Sequence, residues 1–118
     1  MLSPIALEHL EKPLHRGPME DATHYGVSGS PGDGPYVQIW LKIEGGKIEK
    51  AAFKTPGCPS STAAAGVLCT LVTGRSLERA LSLTAKELEI VIGGLPEGKG
   101  HYLVQSIEAL HQAQEGEI

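Results

Sequence analysis

Cysteine is nearly absent from this 118-residue chain, which carries only Cys58 and Cys69. Two cysteines do not make a disulfide framework, and free thiols point to a reducing, cytoplasmic setting. Aromatic residues make up 4% of the chain, namely Trp40, Phe53, Tyr25, Tyr36 and Tyr102, so the core has to come from Leu, Ile, Val and Ala. No apolar run approaches the roughly 18 residues of a membrane span. The start, Met1-Leu2-Ser3-Pro4-Ile5, lacks the basic opening and long apolar stretch of a secretory signal. A basic excess is missing as well: 10 Lys and Arg stand against 14 Asp and Glu, a net charge of −4. That balance excludes the concentrated basic face of a nucleic-acid binder. There is no GxxxxGK[ST] phosphate loop and no GxSxG elbow, and His9, His15, His24 and His111 show no zinc-type pairing.

What is present suits one small domain over residues 1–118, with 41% hydrophobic residues to build its core. Ser3-Pro4 starts a short amphipathic helix through Leu10, which Pro13 stops. The stretch Pro13 to Pro35 holds nine of the Gly and Pro residues and reads mostly as loop. From Tyr36 to Ile43, apolar Val37, Ile39, Leu41 and Ile43 alternate with Gln38, Trp40 and Lys42. This is the pattern of a strand with one buried face, usually antiparallel. Glu44-Gly45-Gly46-Lys47 is a hairpin turn, and the return strand to Thr55 alternates imperfectly, which predicts a bulge. After Pro59 the spacing turns helical. Ala63 to Val72 is apolar almost all round and therefore central. Ser76 starts a short helix, and Thr84-Ala85-Lys86-Glu87 is a capping box for another. A last helix begins near Gly100 and uses Leu103, Val104, Ile107 and Leu110. This order predicts an α+β fold, with helices on one face of a small antiparallel sheet of about three strands.

Cys58 is the residue with the most chemical promise. It lies in a Gly/Pro loop, and Pro59 suits the first helical position, which would make Cys58 the helix cap. There the helix dipole and free N–H groups favour thiolate over thiol. Such a thiolate is a nucleophile or a soft-metal ligand; an inert loop cysteine is the plainer alternative. Cys69, in the middle of the apolar helix, reads as a small buried hydrophobe. A bridge between the two would tie the cap to the third turn, against disulfide geometry. Asp33, between Gly32 and Gly34, is turn chemistry or a hard ligand at a loop tip. His101 opens the last helix.

Blocks spread along the chain resemble the iron–sulfur cluster scaffold family, of the IscU type and the N-terminal domain of NifU. Leu7-Glu8-His9-Leu10-Glu11-Lys12-Pro13 resembles the family's LEHFENP. Leu41 to Glu49, LKIEGGKIE, resembles its IKVEDGRIED hairpin, and Phe53-Lys54-Thr55-Pro56-Gly57-Cys58 resembles FKTFGC. Ser76 to Leu81 matches TLEEAL, and Ile92 to His101 is similar to LGGLPPVKMHC. The resemblance implies a non-enzymatic protein of iron–sulfur assembly, with a cysteine desulfurase and an Hsp70-type chaperone as partners. It also implies a 2Fe-2S cluster, or zinc in its absence, on three cysteines, a His and a nearby Asp. Cys58 and His101 fall on matching positions. Asp33 stands at the first cysteine position or, after a small loop shift, serves as the family Asp. Pro35 stands in the family Asp position and Tyr102 in the third cysteine position. The chaperone-binding stretch survives as Leu95, Pro96 and Lys99. The expected metal set is therefore Cys58, His101 and Asp33. One sulfur, one nitrogen and one oxygen suit iron or zinc better than a full cluster.

Overall fold

A computed structural model describes residues 4–5, 15–30, 32, 34–56 and 59–118. Three strands form an antiparallel meander: β1 (His24–Gly29), β2 (Tyr36–Glu44) and β3 (Lys47–Lys54), in that spatial order. Four helices follow: α1 (Pro59–Val72), α2 (Leu77–Leu81), α3 (Ala85–Ile92) and α4 (His101–Glu115). The α+β expectation is met. Pro4 and Ile5 are helical, and the rest of the expected N-terminal helix lies outside the described residues.

The alternation in β2 is realised. Val37, Ile39 and Leu41 are buried, while Gln38, Trp40 and Lys42 lie half-buried on the opposite face. Register places Ala51 and Phe53 beside Leu41 and Ile39, on the core face. Ile48 has the wrong parity for that face. The expected bulge restores it: Lys42 pairs with Lys50 but Ile43 pairs with Ile48, leaving Glu49 as the extra residue. Gly45 and Gly46 make the hairpin at φ 57° and 76°, which L-side chains rarely adopt.

The loop expectation for Pro13 to Pro35 fails at His24–Gly29, which is β1. The segment is Gly- and Ser-containing and weakly patterned, so its strand state comes from pairing with β2 and from the helix laid over it. That helix is α4, which packs along β1 and β2, while α1 packs on β3. Gly26 permits the contact: a Cβ there would sit 2.6 Å from Ala113 Cα. The C-terminal residues close the same edge, with Tyr25 N donating to Gly116 O at 2.9 Å and Ile118 N donating to Thr23 O at 2.9 Å.

Helix α1 is central, as its composition predicts, and every residue from Ser60 to Cys69 is buried. The capping box of α3 is present in full: Thr84 accepts from Glu87 N, and Glu87 accepts from Thr84 N. Thr84→Ala is expected to cost about 1 kcal/mol, seen as a modest drop in thermal midpoint. An unchanged midpoint would mean that α3 holds without its cap.

Candidate metal and sulfur site

Three connections meet at one end of the sheet. The β1–β2 hairpin turns there, since Gly29 pairs with Tyr36. β3 ends there too, since Lys54 pairs with Gln38 two residues further along β2. From that point the chain passes into α1, whose start is tied back where Thr55 Oγ1 and Ser61 Oγ share a hydrogen bond of 2.9 Å. Helix α4 runs antiparallel to β1, and its contacts show the direction. Ala113 lies against Gly26, Ser28 Oγ donates to Glu108 Oε2 at 2.8 Å, and Gln105 Nε2 donates to Pro35 O at 3.3 Å. The N-terminus of α4, with His101, therefore lies toward the hairpin end. No local pattern marks Gln105, whose role emerges only when α4 is laid against the hairpin.

Of the expected metal set, Cys58 and Asp33 lie outside the described residues. His101 is exposed at the first position of α4. Its ring packs on that of Tyr102, with centroids 4.1 Å apart at 40°. Tyr102 itself is 6% exposed and belongs to the core. Among the described residues no three His, Cys, Asp or Glu groups cluster as a metal site.

Cys69 is a free thiol with no exposure to solvent. Burial pushes its thiol well above the ordinary range, because the apolar surroundings disfavour thiolate. It is a small core hydrophobe, as expected. The other described histidines serve the scaffold or face water. The His15 ring hydrogen-bonds Ala51 O at 3.1 Å, the His24 ring meets Thr23 Oγ1 at 2.8 Å, and His111 is exposed. Leu95 packs against the core, Pro96 is half-buried and Lys99 is exposed. Lys99 N donates to Pro96 O at 3.0 Å, which folds this stretch into a turn ahead of α4.

Residues 2–115 match the model of the NifU-like N-terminal domain. The chain belongs to this family. IscU of Aquifex aeolicus, an iron–sulfur cluster assembly scaffold protein, is 37% identical over 91% of the chain and 69% of its own length. IscU 1 of Archaeoglobus fulgidus, of the same description, is 31% identical over 96% of the chain and 74% of its own length. The fold is shared with the N-terminal part of a NifU-like protein from Brucella abortus. There the TM-score is 0.69 at 17% identity, over 96% of this chain and 91% of that one. This NifU-like domain is thus a member of the iron–sulfur cluster assembly scaffold family. None of its described helices is long and apolar enough to cross a membrane.

Proposed function

We propose that this NifU-like domain is a divergent iron–sulfur assembly protein that handles iron, zinc or sulfur at a single thiolate, Cys58. His101 and Asp33 complete the donor set. The burial of Cys69 carries the reading, because it removes one of the chain's two thiols from chemistry and leaves Cys58 as the sole sulfur donor. Tyr102, where the family resemblance places a cysteine, supplies no sulfur. One sulfur, one nitrogen and one oxygen fit a tetrahedral ion with an open position, whereas a 2Fe-2S cluster takes four protein ligands. The open position is where an incoming sulfide or partner thiolate would bind. Cys58 also suits sulfur acceptance. Its thiolate attacks the outer sulfur of a desulfurase persulfide, the donor S–S bond breaks, and the donor cysteine leaves as thiolate. The domain acts as a carrier in this scheme rather than as an enzyme. The setting is cytoplasmic.

Protein purified without chelator is expected to carry about one equivalent of zinc or iron per chain. Supplied with iron, sulfide and reductant, it is expected to develop no stable cluster absorbance. A stable cluster on the wild-type chain would overturn the single-thiolate reading, and metal-free protein that refuses both ions would overturn the metal site.

A second reading, a metal-free module that docks a desulfurase or chaperone, is favoured by exposed apolar side chains. Ile90 and Val91 on α3 and Val104 on α4 are 69%, 38% and 48% exposed, and Leu95, Pro96 and Lys99 connect the two helices. Under this reading partner binding survives Cys58→Ala and chelation. Under the first, the desulfurase interaction delivers sulfur to Cys58.

A further inference from the structure

β1 is an outer strand of the sheet, and its free edge is only partly covered. The residues that follow α4 pair with it in antiparallel sense. Glu117 stands opposite His24, Tyr25 N donates to Gly116 O at 2.9 Å, and Ile118 N donates to Thr23 O at 2.9 Å. This edge therefore accepts an added strand. Backbone groups alternate in direction along a strand, so those of Val27 face outward as Tyr25 N does. The added strand begins at Gly116, where α4 ends, and stops short of Val27. Among the described residues no bond outside the ladder meets the N–H or C=O of Val27. A bare strand edge is a template for pairing.

A groove follows the uncovered part of that edge. Two clefts of about 350 Å³ each lie between β1 and the flank of α4, and they meet at Val27 and Gln112. Gly26 and Ser28 turn their side-chain positions toward α4. A Cβ on Gly26 would run into Ala113, and Ser28 Oγ donates to Glu108 Oε2 at 2.8 Å. Val27 points to the opposite face of the sheet. The helix flank is acidic: exposed Glu108 lines one cleft and exposed Glu115 the other, beside the exposed His111. Neither cleft is lined by Lys or Arg among the described residues.

These features fit an extended peptide better than a second copy of this chain. Two β1 edges paired about Val27 would set Gly29 of one copy against Tyr25 of the other, where Gly116 already sits. They would also bring two acidic flanks together. We propose that the β1 edge binds an extended basic segment of a partner protein by strand addition. One apolar residue of that segment exchanges backbone hydrogen bonds with Val27 and lies on the same sheet face. The residues on either side of it are Lys or Arg, turned toward α4, with Glu108 and Glu115 as their counter-charges. His101 lines neither cleft, and the proposal does not rest on the metal reading at Cys58.

The test uses the full chain, freed of metal with chelator, and the peptide acetyl-Thr-Lys-Val-Lys-Thr-amide. Backbone amide shifts and hydrogen exchange are the readouts. Saturable binding at roughly millimolar concentration or below is expected. The largest shifts should fall at Val27 and Gly29, with slowed exchange of the Val27 amide. Methylating the backbone nitrogen of the peptide's valine removes a donor to Val27 O and should abolish binding. The double variant Glu108→Gln/Glu115→Gln should weaken it about tenfold. Added salt should weaken it on the wild type and little on that variant. Val27→Pro, tolerable where the N–H faces outward, should lose binding with the fold retained; the methylated peptide decides the matter if that variant does not fold. Absence of saturable binding up to about 10 mM would overturn the proposal. So would equal affinity of the methylated peptide, of its counterpart with Glu in place of Lys, or of the double variant. Dimerisation with shifts at Val27 in the absence of peptide would assign the edge to a second copy instead.

Discussion

Replacing Gly26 with valine is expected to cost about 3 kcal/mol or more and to lower the thermal midpoint by about 10 °C or more. The reason is geometric. A Cβ on Gly26 would fall on the backbone of α4, 2.5 Å from Gln112 C and 2.6 Å from Ala113 Cα. Backbone cannot swing aside as the end of a flexible side chain does. The helix would have to lift from β1, exposing its own Ala109 and Leu110 and opening the core at Ile39, all essentially inaccessible to solvent. A domain of this size has only roughly 5–15 kcal/mol of stability to lose. Gly100 supplies the control. It caps α4 at φ −60°, and an added Cβ there would meet nothing within 4 Å, so Gly100→Ala should stay within about 0.5 kcal/mol. Denaturant melts of the two variants check the pair. A Gly26→Val protein as stable as wild type would show that α4 does not rest on β1 as described.

Cys58→Ala is expected to abolish metal binding, beyond the roughly 10–100-fold that loss of a supporting group costs. Cys69→Ala should leave binding intact. The contrast follows from burial. Cys69 has no solvent exposure and its thiol is held protonated, so it offers neither a nucleophile nor a ligand. Metal analysis and thiol titration of the folded variants decide the matter. The Cys58→Ala chain should react with a thiol reagent only on unfolding. Retained metal in Cys58→Ala, with or without prompt labelling of Cys69, would remove the basis of the single-thiolate function.

Much of the fold was legible in local pattern because the decisive interactions are short in sequence. Strict alternation over Val37, Ile39 and Leu41 announces a half-buried strand. Gly45-Gly46 announces its turn, and the pairing of Thr84 with Glu87 is completed within one helical turn. The parity break between Ile48 and Ala51 even locates the bulge. β1 was not legible for the opposite reason. His24–Gly29 has little strand propensity of its own, and Gly26, which reads as a breaker, is the residue that lets α4 approach. Of the site, sequence reaches Cys58, Asp33 and His101 by position in the family pattern. It does not reach the burial of Tyr102, which depends on how α4 is rotated against the core.

By itself, then, the order of residues determined a small α+β domain, its hairpin, its central helix and one thiol of chemical interest, all through periodicity and turn chemistry within about fifteen residues. Tertiary structure decided which face of α4 is covered, that His101 opens that helix toward the hairpin end, and that an acidic flank of α4 runs along the free edge of β1. Those outcomes depend on contacts between segments far apart in the chain, where shape and burial choose among neighbours that no local pattern records.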